Sequence, residues 1–379
     1  MKILKKIANI TLHAAHNFGS MLQTYALQNF IVDLCKENHC EADYRVINLI
    51  NDFQKSFYSN NLRFNYVNNV IKSLFKIIYK KQLDTKYKKF EEFLSSNINL
   101  TEEYTDETLS ETKINADYYI SGSDQVFNIR SKDFSWRYLL DFVSEGKKIS
   151  YSASCGPLMI DWSQYDAKRY CDCVEQFDCC SVREDKSKLI LEQQGIQNIS
   201  VNVDPTLLLT KNQWQKIQSN ANYNDGNYIF LYCLEPTKHH LDMAKAISKK
   251  LNLPVLVTRY NSKVDIVNPF VKKYDSGPCD FLSYINNAKL VLTSSFHGTA
   301  FSLIYNKNFY VLSGQGDNRI SFLIEGTDLT HRVLNCIEDV EKVNLEDVDF
   351  SKTNEFLKNE KEKSAAYLKQ ALDLTLLKE

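Results

Sequence analysis

The chain has 379 residues, enough for two domains that each bury their own core. Its 46 Lys+Arg against 47 Asp+Glu leave a net charge of −1 at pH 7, so there is no global basic field to hold a nucleic acid. Tyr and Phe are abundant (22 and 21) while Gly and Pro are scarce (11 and 6), which fits a packed globular protein and excludes a disordered one.

Met1 to Ile10 carries charge and no continuous apolar core of signal-peptide length. No run approaches the roughly 20 apolar residues that span a bilayer. The expected location is the cytoplasm, with the ten cysteines as free thiols. Ile7–Leu12 reads as a first strand, His13–Gly19 as a polar loop and Ser20–Phe30 as a helix with apolar residues at helical spacing. This is the order of a Rossmann-type half, although no G-x-G-x-x-G fingerprint occurs. Tyr44–Leu49 is the next strand.

Residues 51–100 break the rhythm. Val70–Lys81 is basic and amphipathic, and further lysines follow at Lys86, Lys88 and Lys89. A helical excursion with a solvated lysine face is one reading. A peripheral docking surface for anionic membrane lipid or a lipid-linked substrate is the other. The alternation then resumes. Strands are expected at Ala116–Ile120, Lys148–Ser154, Cys179–Glu184 and Ser200–Pro205, completing a first half over 1–210.

A second half, 211–350, begins with a strand at Tyr228–Cys233, a helix at His240–Lys250 and a strand at Pro254–Thr258. The Pro278–Asn287 helix leads into the strand Leu290–Thr293, which ends in Ser294, Ser295, Phe296, His297 and Gly298 before a new helix starts. Phe309–Leu312 is a further strand, and 351–379 holds a long amphipathic helix that either packs on the first half or mediates oligomerisation. The fold class is α/β, two Rossmann-like domains facing a cleft. Cys171, Cys173, Cys179 and Cys180 lie close together but lack paired C-x-x-C spacing, and His13/His16 and His239/His240 lack a third ligand, so no metal is expected.

The Leu290–Phe301 segment places a titratable His297 and two hydroxyls at a strand–turn–helix corner. Helix N-termini there offer free N–H groups to anions, and ligands gather outside the carboxyl ends of strands in open sheets. Helix capping by the same residues is the alternative.

Separated segments of the chain resemble the polysaccharide pyruvyl transferase family. They are Asn17-Phe18-Gly19-Ser20 with Leu22–Leu27, Ile120–Asn128 (with Ser121, Gly122, Ser123, Asp124 and Gln125), and Ser150–Gly156 including Ser154. Ser181–Glu184, Val203–Leu208, Gly277-Pro278, Phe281, Asn287-Ala288 and Thr293–Phe301 continue the match, and Arg319 and Arg332 fall where that family tends to carry arginines. The resemblance covers roughly 10–335. It implies a fold similar to glycosyltransferase type B, with transfer of pyruvate from phosphoenolpyruvate to a sugar as a ketal in capsule, exopolysaccharide or cell-surface glycan synthesis. The acceptor sugar would be lipid-linked or nucleotide-linked, reached at the inner face of the membrane.

Phosphoenolpyruvate carries a phosphate and a carboxylate, so its site needs guanidinium groups, hydroxyls and backbone N–H groups. Arg183 is the candidate anion clamp, Ser294, Ser295, Phe296, Gly298 and Arg319 are donor-side contacts, and His297 is a general acid or phosphate-neutralising group. An ion pair with neighbouring Glu184 or Asp185 is the structural alternative for Arg183. Asp124 is the candidate base, with helix capping as its alternative. Asn17, Gly19, Ser20, Ser121, Gly122, Ser123, Gln125 and Ser154 would line the acceptor side. No step needs a metal or an organic cofactor. The competing functions are a nucleotide-sugar-dependent glycosyltransferase and a non-catalytic glycan-binding relative.

Overall fold

The computed structural model describes residues 3–51, 53–54, 77–259, 268–312 and 318–374. Of these, residues up to 54, 94–209 and from 357 onward form one compact unit, and 77–93 with 210–356 form the other.

The first unit is built on parallel strands β1 (Ile3–Ile10), β2 (Cys40–Leu49), β3 (Leu100–Tyr104), β4 (Tyr118–Ser121) and β5 (Lys147–Ser150), in the order β3-β2-β1-β4-β5. β1 begins four residues earlier than its apolar run suggests, because its exposed start pairs with β2 from Ile3↔Cys40. Its last four residues are buried in succession, as a central parallel strand covered on both faces requires. Isolated bridges from Ile149 to Cys179 and from Ala153 to Val182 carry the sheet on to the pair β6 (Cys180–Val182) and β7 (Ile199–Val201). The helix Phe18–Glu37 follows β1 and buries Met21, Leu22, Ala26, Leu27, Phe30, Ile31 and Leu34 at helical spacing. Cys173 and Cys180 lie in the apolar core of this unit, with Cys171 packed against it.

The second unit has strands β8 (Ile229–Tyr232), β9 (Val255–Val257), β10 (Val271–Lys272), β11 (Leu290–Thr293), β12 (Phe309–Leu312) and β13 (Val333–Leu334). Their order is β10-β9-β8-β11-β12-β13, again all parallel. Each sheet therefore has one switch point where the strand order reverses direction, β1/β4 in the first and β8/β11 in the second. Ligand sites in open parallel sheets form outside the carboxyl ends of such a pair.

One domain assignment changes. The 51–100 insert does not stay with the first half: Ile77–Phe93 docks on the second unit, where Tyr79 and Leu83 pack against its core. The part of the basic stretch at 70–76 lies outside the described residues. The tail takes the first of its two expected placements, packing on the first half. The helix Ser351–Ala371 returns to the first unit, with Tyr367 Oη donating to Ser150 O (2.8 Å) and Val203 N to Ser364 Oγ (3.2 Å). Asp373 pairs with Lys147 at 2.9 Å.

Candidate functional site

At the second sheet's switch point, Thr293 closes β11 and its hydroxyl donates to Tyr232 O at the end of β8 (2.6 Å). The same oxygen accepts from Ser295 N (3.0 Å), and Ser294 N donates to Tyr232 O (3.3 Å). The turn is thus tied to both strands of the switch pair. Gly298 is required beneath it, because a Cβ there would lie 2.2 Å from Thr293 Oγ1 and 3.1 Å from the Tyr232 ring.

The helix Phe296–Ile304 starts from Ser295 with no side-chain cap. Its first-turn N–H groups therefore have no intrahelical acceptor and no cap to replace one. Ser295 Oγ is buried and has no hydrogen-bond partner in the protein. His297 occupies the second helical position, nearly buried, with its ring edge-on to Phe296 at 5.2 Å. Ser294 is half-buried, and Arg319 opens the Asn318–Gly326 helix that follows β12, the strand beside β11. An uncapped helix end, a spare buried hydroxyl and an imidazole together can receive a small anion and hand it a proton. Arg332 serves otherwise: it donates to Asn308 Oδ1 (2.8 Å) and stacks over Tyr310.

The first unit's switch point, β1/β4, holds a buried polar network. Ser20 Oγ donates to Asp124 Oδ2 (2.6 Å), and Gln125 N to Asp124 Oδ1 (3.0 Å). Gln23 spans the same loops, donating to Thr11 Oγ1 (2.9 Å) and accepting from Ser123 N (3.3 Å). Asp124 has φ 65°, a left-handed conformation that aspartate tolerates better than most residues and that turns its carboxylate toward Ser20. Gly122 has φ 126°, and a Cβ on it would sit 2.2 Å from Tyr151 O. Asn17 caps the Phe18–Glu37 helix by accepting from Gly19 N (2.9 Å). Ser121 Oγ donates to Tyr138 O. Asn128 Nδ2 donates to Gln125 Oε1 (2.8 Å).

Arg183 is recast. Its side chain is 1% exposed, and Nη1 donates to Asp204 Oδ2 at 2.8 Å. Asp124 Oδ1 lies 3.8 Å from Nη2, and Glu184 Oε2 lies 3.6 Å from Nε. Asp204 also accepts from Thr206 N and Oγ1 (3.0 and 2.7 Å), and Glu184 from Ser154 Oγ (2.7 Å) and Ser187 Oγ. Three carboxylates thus lie within 4 Å of the guanidinium, Asp204 hydrogen-bonded to it, and would compete with a substrate anion for its charge. Sequence proximity pointed to Glu184 or Asp185, but the strongest contact, Asp204, lies 21 residues on. The signal was present in the Val203-Asp204-Pro205 motif after β7. Its side chain was not read as a partner because a strand pairing brings it to Arg183.

Comparison with known proteins adds two findings. A family model described as polysaccharide pyruvyl transferase matches residues 17–316. The fold is similar to that of a Listeria monocytogenes protein described as a UDP-N-acetylglucosamine 2-epimerase, at 11% identity and TM-score 0.52, over 98% of this chain and 91% of that one. It is also similar to UDP-N-acetylglucosamine 2-epimerase from Rickettsia bellii, at 11% identity and TM-score 0.51, over 99% and 96% of the two chains. No curated protein matches the chain significantly.

Proposed function

Because this chain belongs to the polysaccharide pyruvyl transferase family, we propose that it moves pyruvate from phosphoenolpyruvate to a sugar as a cyclic ketal, during capsule, exopolysaccharide or other cell-surface glycan synthesis. The observation that carries the donor assignment is the uncapped start of the Phe296–Ile304 helix with the buried, unpartnered Ser295 hydroxyl beside His297. Phosphate or carboxylate oxygens would accept from the first-turn N–H groups and from Ser294 and Ser295, with Arg319 adding charge.

His297 would then protonate the enol methylene, making C2 an oxocarbenium-like electrophile. A sugar hydroxyl attacks C2, phosphate leaves, and a second hydroxyl closes the ring with loss of its proton. Asp124, oriented by Ser20, is the proposed base for the acceptor hydroxyls. The loops carrying Asn17, Gly19 and Ser20 and Ser121 to Gln125 would read the acceptor. These steps call on no metal and no organic cofactor. Among the described residues no helix is long and apolar enough to cross a membrane. Exposed Ile77 and Ile78 beside Lys80, Lys81 and Lys88 support peripheral contact with an anionic lipid surface, where a lipid-linked acceptor would be met.

The test is to incubate the purified protein with phosphoenolpyruvate and lipid- or nucleotide-linked sugars, following phosphate release and a pyruvate-bearing product by mass spectrometry. Sugar transfer from a nucleotide donor without consumption of phosphoenolpyruvate would overturn the proposal.

A further inference from the structure

The amino edge of the second sheet, opposite the His297 corner, carries a cavity of about 540 Å³. All of its lining residues belong to the second unit, and its volume is that of a small-molecule site. One wall is the entry to β11 and β12. These strands run parallel with Val291 beside Phe309, and Val291 N donates to Asn308 O (3.0 Å). Two residues earlier, the same register brings Lys289 alongside Lys307, and both line the cavity. The other wall carries Glu346, Asp347 and Asp349. Asn308 fastens the two together: its Nδ2 donates to Glu346 O (3.0 Å), while its Oδ1 accepts from Arg332 (2.8 Å).

Neighbouring strands lie about 5 Å apart, so the two lysines repel each other. Among the described residues no ion pair within 4 Å joins either of them to an acid. A third lysine, Lys211, is engaged elsewhere, donating to Tyr305 O (3.4 Å) just past the Phe296–Ile304 helix. Lys307 is half-buried. Burial first, and then Lys211 and Lys289, lower the pKa of its amine. A dianion seated between Lys289 and Lys307 relieves that repulsion. The acids suit a different part of the same ligand. Asp349 accepts from Ser351 N (2.9 Å) at the start of the last helix, which leaves Glu346 and Asp347 for the cavity. Carboxylates accept from hydroxyls and repel a second anionic group. Asn306, in the turn after the Phe296–Ile304 helix, adds an amide that both donates and accepts. The ligand that matches these walls has one dianionic end and a body of hydroxyls.

We infer that this cavity binds a sugar monophosphate, with the phosphate between Lys289 and Lys307 and the sugar hydroxyls on Glu346, Asp347 and Asn306. The site is separate from the His297 corner. The whole of β11, Leu290–Thr293, lies between them, which puts Lys289 about 16 Å from Ser294. The assignment needs nothing from pyruvyl transfer.

Calorimetric titration of the full-length protein with glucose 1-phosphate and glucose 6-phosphate tests it, with inorganic phosphate as the control for the anion alone. At least one sugar phosphate should bind the wild type tenfold or more tightly than inorganic phosphate. Lys289→Ala and Lys307→Gln should each weaken that binding at least tenfold, with melting temperatures within a few degrees of the wild type. Asp347→Ala should lose most of the advantage of the sugar phosphate over inorganic phosphate. Wild-type protein that binds neither sugar phosphate, lysine variants that bind as tightly as the wild type, or equal affinity for inorganic phosphate would each overturn the site.

Discussion

Arg183→Gln is the substitution that best separates a structural arginine from a substrate clamp. The change removes a guanidinium whose contacts are Asp204 at 2.8 Å, Glu184 at 3.6 Å and Asp124 at 3.8 Å, with side chains 0, 3 and 11% exposed. At an effective dielectric of about 20, the attraction to Asp204 alone is about 6 kcal/mol before desolvation is subtracted. Desolvation of both ions offsets part of this. Removing one partner of a buried pair nonetheless costs about 3–5 kcal/mol, because the remaining charges stay buried without compensation. Against a total stability of about 5–15 kcal/mol the loss is large. A shift of about 2–4 °C per kcal/mol for a unit of this size puts the fall in Tm at about 6–20 °C. Urea unfolding and differential scanning fluorimetry read the stability, and calorimetry reads phosphoenolpyruvate affinity in the folded fraction. Asp204→Asn should cost less, since two carboxylates still face the guanidinium, and the double variant should lose less than the sum of the singles. An Arg183→Gln protein with wild-type stability and phosphoenolpyruvate affinity lowered at least tenfold would refute the argument and restore Arg183 as an anion ligand.

Gly298→Ala drives a methyl into Thr293 Oγ1, the atom that ties the corner to Tyr232 and Ser295, and should cost about 2–3 kcal/mol with weaker phosphoenolpyruvate binding, read by urea melts and calorimetry. His297→Asn should leave the melting temperature within a few degrees while phosphate release falls at least a hundredfold; near-normal turnover removes His297 from the chemistry. Lys86 gives a pH signature. Its folded-state pKa, about 7, is below the unfolded value, so between about pH 7 and 10 the unfolded chain binds more protons and this group's contribution to stability rises with pH. The charged groups around it include Arg259 on the strand end and the Lys89–Asp280 pair one turn along. Lys86→Met should therefore be more stable than wild type at pH 7, with the difference shrinking toward pH 10 in parallel urea titrations. Ile77→Asp with Ile78→Asp should reduce sedimentation with phosphatidylglycerol vesicles severalfold, and equal sedimentation would argue against membrane contact.

What the sequence made legible follows from how local each signal is. The Leu290–Phe301 corner was readable because an apolar run, two serines and a helical repeat all lie within a dozen residues. The structure places β11 and the new helix where that pattern does. β3, Leu-Thr-Glu-Glu-Tyr, was not readable. It is an edge strand whose central acids are exposed, so it lacks the alternation that marks a half-buried strand. β10 and β13 have two residues each, too few to show any period. The amphipathic stretch read at 70–81 lies largely outside the described residues, and the helix Lys80–Asn97 was marked in the sequence only by its lysines, which do not tell which sheet it covers. The partner of Arg183 escaped for the same reason at the scale of one side chain, since Asp204 comes to it through the β6–β7 pairing. The two switch points show the limit most clearly. Each draws together loops more than 60 residues apart, Thr293 with Tyr232 and Asp124 with Ser20. The residue types at each corner were visible in the chain, but which of them became struts of the fold was decided by strand order. Testing Arg183 beside His297 probes that division directly, because both were assigned to the phosphoenolpyruvate site and the structure gives them opposite surroundings: an arginine among carboxylates, and a histidine beside an uncapped helix end.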